Sequence, residues 1–195
     1  YFYFDLFYHI DLKIRISVQK INLYKMDKNL PLEVENNVKN WLKSPYDEET
    51  KNVIKSLIKE NPDMLADMFH TNISFGTGGM RGLMGVGTNR LNKYTISNAS
   101  QGLANYILSK KIVNPSVFIS YDSRINSRFF AEETARVLAG NNIKVFLTKE
   151  LRPTPFVSFG CRYHSTTAAV MITASHNPPE YNGYKVYWSD GAQVV

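Results

Sequence analysis

Hydrophobic positions along this chain follow two rhythms, and the change falls near Ile73. From Pro31 to about Lys43, Leu32, Val38, Trp41 and Leu42 recur at roughly helical spacing, the mark of a helix with one buried face. Ser44-Pro45 stops that helix, because proline disfavours helical backbone at the residue before it. Asp47 reads as the N-cap of a second helix, with Glu48 and Glu49 at the positive end of its dipole. Val53, Ile54, Leu57 and Ile58 are its apolar positions. Asn61-Pro62 breaks it, and Pro62 to Phe69 reads as one more short helix.

Beyond Ile73, compact apolar runs alternate with helical periods. Gly76, Gly78, Gly79, Gly82, Gly85 and Gly87 crowd one stretch that reads as loop. A helix is predicted from about Ser97 to Lys111, with Ala99, Leu103, Ala104, Ile107 and Leu108 on one face. Ser116 to Tyr121 is a β-branched and aromatic strand. A helix from about Ser127 to Gly140 follows, with Gly140-Asn141-Asn142 as its C-cap. Ile143 to Leu147 reads as strand, Thr154 to Tyr163 as helix, and Ala168 to Ile172 and Tyr184 to Trp188 as strands. This alternation predicts an α/β fold, a layered mixed or mostly parallel sheet flanked by helices, behind an N-terminal helical arm. Ligands in such folds sit at the carboxyl ends of strands. The loop after Ile172 and the Asp122-Ser123-Arg124 turn after Tyr121 both lie at such ends.

Composition narrows the class without naming a function. The 195 residues, 44% hydrophobic and 21% charged, suffice for a sizeable core. The net charge is +6, but the lysines are scattered singly. That pattern reads as a solvated basic surface, and no nucleic-acid partner is expected. Cys161 is the single cysteine. It has no internal disulfide partner and no metal-ligand spacing around it. A buried thiol in a reducing, cytoplasmic setting is expected. The first ten residues are aromatic and aliphatic but interrupted by Asp5 and His9. They are too short to span a bilayer and lack a signal peptide's basic start and cleavage site, so no membrane partner is expected. Met26 opens a more regular sequence. Residues 1–25 therefore read as an extension outside the native domain.

Three segments carry candidate chemistry. In Phe75-Gly76-Thr77-Gly78-Gly79-Met80-Arg81-Gly82, glycines let backbone N–H groups approach an anion, and Arg81 adds a fork-shaped cation that matches phosphate. The spacing fits neither the Rossmann fingerprint nor the P-loop. A flexible turn with a surface arginine is the competing reading. Asp122 and Arg124 could orient a ligand, cap the next helix or pair with each other. In Thr173-Ala174-Ser175-His176-Asn177-Pro178, adjacent Ser175 and His176 do not readily make a triad-type hydrogen bond, and no Gly-x-Ser-x-Gly elbow is present. A hydrolase is therefore a poor fit. A serine that carries a phosphoryl group fits better. It needs cations and a metal to balance roughly −1.5 to −2 charge, and Lys185, Arg81 and His176 offer the cations. A turn without chemistry is the alternative.

Taken together, the three segments resemble a known family. The Thr173–Pro178 segment followed by Asn182-Gly183-Tyr184-Lys185 is similar to the phosphoserine loop of the α-D-phosphohexomutases. Phe75 to Gly82 resembles that family's FGTxGxRG loop, and Asp122-Ser123-Arg124 its D-x-R strand end. The helical arm and the run Gly183 to Trp188 through Gly191-Ala192-Gln193 look most like the phosphoglucomutase and phosphopentomutase branch.

The resemblance implies a phosphoryl shuttle between the 1 and 6 (or 1 and 5) positions of a sugar monophosphate. Phosphorylated Ser175 donates, a sugar 1,6-bisphosphate intermediate turns over, and Ser175 is rephosphorylated. Mg²⁺ is held by the phosphoserine and by aspartates. Arg81 steadies phosphoryl oxygens, and Lys185 and His176 assist proton transfer or charge balance. Thr77 and Gly78 join them at the phosphate, with Asp122, Arg124 and Asn177 in support. The family has four domains. This sequence carries the motifs of the first, which the resemblance places at residues 71–195, behind the arm at 26–70. The metal loop of the type Asp-Gly-Asp-x-Asp-Arg has no match here. The chain alone is therefore expected to be inactive, with the remaining mutase domains in the full-length protein or a partner chain. The alternative is a non-catalytic phosphate-binding or interaction module that keeps the fold. A nucleotide-binding use of the glycine run ranks behind both.

Overall fold

A computed structural model describes residues 30–43 and 45–194. The expectation for residues 1–25 lies outside them. The described residues form two compact units, one ending at Asp67 and one starting at Met68. In the first, α1 (Leu32–Trp41) buries Val34, Val38 and Trp41. That i, i+4, i+7 stripe leaves Leu32, which the sequence placed on the apolar face, out in solvent. Trp41 stacks on Tyr46 with centroids 4.4 Å apart. In α2 (Glu48–Glu60), the Asp47 carboxylate accepts the Thr50 N–H at 2.7 Å, as its N-cap reading required. Ile54 is buried, whereas Val53 is exposed. Helix α3 (Pro62–Phe69) follows and runs across the boundary.

The second unit is built on one six-stranded mixed sheet. Its elements in chain order are β1 (Phe75–Gly76), β2 (Gly79–Leu83), α4 (Lys93–Ser109), β3 (Ser116–Tyr121), α5 (Ser127–Gly140), β4 (Lys144–Leu147), α6 (Thr154–Tyr163), β5 (Ala168–Ile172) and β6 (Tyr181–Trp188). The strand order is β1-β2-β6-β5-β3-β4. β3 runs parallel to β4 and β5, while β6 is antiparallel to both β5 and β2.

Helices on both faces explain the unbroken apolar run of β5, all five residues of which are buried. Ala168, Val170 and Ile172 join the core shared with α4 and α5. Ala169 and Met171 join Phe118, Val157, Cys161 and Tyr187 on the α6 side. Cys161 is buried there, its thiol donating to the Trp188 carbonyl at 3.2 Å, and burial pushes its pKa up. Among the described residues no helix is long and apolar enough to cross a membrane.

Helix α4 starts four residues before its predicted start at Ser97. The reason is a capping box. The Asn92 side-chain oxygen accepts the Tyr94 and Thr95 N–H groups, and the Thr95 hydroxyl accepts the Asn92 N–H. A threonine at the third position disguises the motif, whose usual reciprocal partner is Glu or Gln. The buried face is Ile96, Ser100, Leu103, Ala104 and Ile107, and Leu108 is exposed. The Asn92 amide also donates to the Gly85 and Gly87 carbonyls, each at 2.9 Å, so one residue ties the glycine-rich segment to the helix. Asn92→Ala is expected to cost about 1–2 kcal/mol in urea unfolding. A loss below about 0.3 kcal/mol would contradict this role.

Candidate functional site

The glycine-rich run is not an open loop. Phe75 pairs with Met80 and Gly76 with Gly79, which leaves Thr77-Gly78 as the tip of a hairpin. β2 then pairs with β6, Met80 opposite Tyr184 and Arg81 opposite Gly183. Side chains alternate across a sheet. Met80 and Tyr184 therefore face the α4/α5 core, where the Tyr184 hydroxyl meets Ser100 at 3.2 Å and burial pushes the phenol pKa up. Arg81, Gly183 and Lys185 face the other way.

The crossing of these strands leaves no room for side chains at two glycines. A Cβ on Gly79, whose φ is +95°, would fall 2.6 Å from the Tyr184 carbonyl oxygen. A Cβ on Gly183 would fall 2.5 Å from the Thr173 carbonyl oxygen and 2.8 Å from that of Met80. The chain leaving β5 thus passes directly against Gly183, and the Thr173 N–H donates to the Gly183 carbonyl at 3.0 Å. This contact brings the Ser175 loop to the face that carries Arg81 and Lys185.

Within the loop, Ser175 is exposed with φ +60°, a left-handed conformation uncommon for a residue with a Cβ. Its N–H donates to the Thr173 hydroxyl at 2.9 Å. The Ser175 hydroxyl lies 3.4 Å from His176 Nδ1, the outer limit of a hydrogen bond. The two side chains do touch, contrary to the expectation for adjacent residues. Among the described residues no carboxylate orients the imidazole, so a base-activated triad is not assembled. Asn177 Oδ1 accepts from Arg81 Nη1 at 2.6 Å. Gly78 lies beside Arg81, its would-be Cβ 3.5 Å from Nη2. No hydrogen bond or ion pair holds the Lys185 ammonium among the described residues.

Arg124 makes contacts that the sequence did not reveal. Its Nη1 donates to the carbonyls of Pro178 at 2.8 Å and Tyr181 at 3.1 Å. Its Nη2 donates to those of Ser175 at 2.8 Å and Asn177 at 2.6 Å. Asp122 pairs with Arg124, one of the uses foreseen for it, but does not cap α5, whose N-cap Asn126 makes no side-chain cap bond. It sits 3.5 Å from Arg124 Nε, and its other oxygen accepts the Arg124 N–H at 3.0 Å and the Ser127 hydroxyl at 2.7 Å, at the start of α5.

Asn182, fully buried, also went unrecognised. Its amide donates to Ser127 Oγ and the Ile125 carbonyl, and its oxygen accepts the Gly183 N–H at 2.8 Å. Thr173 and Asn182 were legible only as parts of a motif, since their partners are distant in sequence or buried. Thr77 is exposed and, with Phe75, Tyr106, Val186 and Trp188, lines a mostly apolar groove.

The residues present do not by themselves make a magnesium site. Among the described residues no three of His, Cys, Asp and Glu converge on one point. Asp122, the acidic side chain built into the loop's support, is engaged by Arg124 and Ser127. Ser175 is the one oxygen donor of the set that a metal could share through an attached phosphoryl group.

Comparison with known proteins bears on the whole arrangement. The family "Phosphoglucomutase/phosphomannomutase, alpha/beta/alpha domain I" matches residues 72–195. A phosphoglucomutase from Staphylococcus epidermidis is 51% identical over 125 residues, covering 64% of this chain and 23% of that protein. One from Staphylococcus aureus is 44% identical over 155 residues, covering 79% of this chain and 27% of that protein. This second match is too long to fit within residues 72–195, so it reaches back into the helical segment. A crystal structure assigned as a phosphomannomutase from Thermus thermophilus superposes with a TM-score of 0.59 at 31% identity, covering 64% of this chain and 28% of that one. The chain spans about a quarter of the length of these relatives.

Proposed function

The chain belongs to the phosphoglucomutase/phosphomannomutase family, and from that premise we propose that it is the phosphoserine-bearing first domain of a sugar-phosphate mutase. We assign residues 71–195 to that domain and 26–70 to its helical arm. Ser175 is the phosphoryl carrier. A sugar hydroxyl attacks the phosphorus of phospho-Ser175, the new P–O bond to the sugar forms, and the P–Oγ bond breaks. The hydroxyl gives up its proton, and Ser175 Oγ takes one. The bisphosphate so formed turns over, and its other phosphate returns to Ser175 by the reverse step.

One observation carries this reading. Ser175 stands exposed on a left-handed backbone just beyond β5, while Arg81 and Lys185 project from the same sheet face with donors unused among the described residues. Phosphoryl transfer asks little covalent chemistry of a protein. It asks for positioning and for cations where charge spreads over the phosphoryl oxygens. Arg81, steered by Asn177 and lying against Gly78, offers the bidentate fork, and Lys185 a point charge. His176, beside the serine hydroxyl, is placed to exchange its proton. At the hairpin tip Gly78 lies next to Arg81, with Thr77 preceding it. Magnesium would add positive charge to the transferring group. Beyond the phosphoserine, its ligands and the contacts that select the sugar belong to the remaining domains.

A coupled mutase assay tests the proposal with glucose 1-phosphate and ribose 1-phosphate compared. The full-length product is expected to turn over at least one of them when primed with the sugar bisphosphate. The 195-residue chain alone is expected to turn over neither. Full activity in the isolated chain would refute the division of labour. No turnover by the full-length product, with sugar phosphate still bound, would favour a binding module that has lost catalysis.

A further inference from the structure

We propose that Arg124 is the positioning residue for Ser175, fixing the backbone from which the hydroxyl meets phosphorus without touching the phosphate itself. This inference rests on the reading of Ser175 as the phosphoryl carrier.

A guanidinium has five N–H donors in one plane. Here four are hydrogen-bonded to carbonyls and the fifth lies in an ion pair. Two on Nη1 reach the Pro178 and Tyr181 carbonyls, two on Nη2 reach the Ser175 and Asn177 carbonyls, and Nε faces Asp122. No terminal N–H is left for a phosphoryl oxygen. The two arginines near the serine therefore have different tasks. Among the described residues Arg81 makes one side-chain hydrogen bond and keeps donors to spare, whereas both terminal nitrogens of Arg124 are spent on backbone carbonyls.

The acceptors explain what the strap accomplishes. Ser175 is held on both sides of its Cα, its N–H by Thr173 Oγ1 at 2.9 Å and its carbonyl by Arg124 at 2.8 Å. A left-handed non-glycine residue persists only where its surroundings over-determine it. With both peptide groups fixed, the chief freedom left to Ser175 is rotation about its own Cα–Cβ bond. Arg124 is fixed in turn by Asp122, which also accepts from the first residue of α5. The hydroxyl is thereby referred back to β3 and α5, elements of the rigid sheet. Lysine cannot replace this strap. Its three donors radiate from one nitrogen and do not span four carbonyls.

The test uses Arg124→Lys and Arg124→Ala in the full-length product. It measures kcat and KM for the sugar monophosphate and the rate of Ser175 phosphorylation by glucose 1,6-bisphosphate. A displacement of about 1 Å at a reacting atom costs on the order of 100-fold in rate. Both variants are expected to lose about 100-fold in kcat with KM changed less than about threefold. Millimolar guanidinium is expected to restore part of the Arg124→Ala rate and to leave wild type unchanged.

Wild-type kcat in Arg124→Lys would overturn the proposal, as would a rise in KM at constant kcat, which would put Arg124 on the substrate. Lower stability with an unchanged rate per folded molecule would reduce Arg124 to a structural tie and also overturn it. Should Arg124→Ala not fold, Arg124→Lys decides. Failure of wild type to accept phosphate on Ser175 is a separate result. It would remove the carrier reading and this inference together.

Discussion

Ser175→Gly is expected to be at least as stable as the wild-type chain, by about 0–1 kcal/mol, and to accept no phosphoryl group at all. Ser175 sits at φ +60°, where a residue with a Cβ pays roughly 1–2 kcal/mol that glycine does not. Glycine gives back about 0.4–1 kcal/mol through its more disordered unfolded chain. The two effects nearly cancel, with a small advantage to the variant. The hydroxyl is exposed, so no buried contact is lost with it. Ser175→Ala keeps the Cβ and should stay within about 0.5 kcal/mol of wild type, equally unable to carry phosphate. Urea unfolding and phosphate incorporation, measured on the same samples, separate the two effects. A marked loss of stability in Ser175→Gly would show that the serine is held for structural reasons. Retained incorporation in either variant would move the carrier elsewhere.

Gly183→Ala is expected to cost about 1–3 kcal/mol in stability and to slow transfer to Ser175 as well. The added methyl would sit 2.5 Å and 2.8 Å from two carbonyl oxygens, those of Thr173 and Met80, on opposite sides. Both belong to backbone held in the sheet or against it, so neither yields without breaking the pairing around it. Gly82 offers a contrast. Its would-be Cβ lies 2.7 Å from the end of the Ile73 side chain, which can rotate away, so Gly82→Ala is expected to be milder. The coupling to chemistry runs through Thr173, whose hydroxyl holds the Ser175 N–H. Urea midpoints give the first effect, and the rate per folded molecule gives the second. A Gly183→Ala protein with wild-type stability would contradict the register of β2 and β6.

Much of the fold was written locally. Val117-Phe118-Ile119 and the run Ala168 to Ile172 are compact apolar segments because helices cover both faces of their strands. That burial leaves a signal in the sequence that needs no knowledge of partners. The early start of α4 was hidden because Thr95 fills a place where glutamate or glutamine is usual. The glycine-rich segment was read as loop because glycine is a poor strand former. Its strand character comes from β6, about a hundred residues later, which supplies the hydrogen-bonding partner.

The site divides the same way. Ser175, His176 and Arg81 could be picked out by residue type and motif. Arg124 could not be assigned its task, because its four acceptors, three in the loop between β5 and β6 and one at the first residue of β6, present only backbone oxygens. Carbonyl groups occur at every position, so side-chain identities do not reveal which ones an arginine will find. Asn182 was obscure for a related reason. Its side chain joins the start of α5 to the start of β6, a junction that only the folded sheet creates.

The most direct test of the central claim is to locate the phosphate. The full-length product is incubated with glucose 1,6-bisphosphate and magnesium, digested, and the phosphopeptides are sequenced by mass spectrometry. One phosphoryl group on Ser175, lost again when excess glucose 6-phosphate is added, is the expected result. Phosphate on any other residue, or none on Ser175 in a protein that still interconverts sugar phosphates, would contradict it.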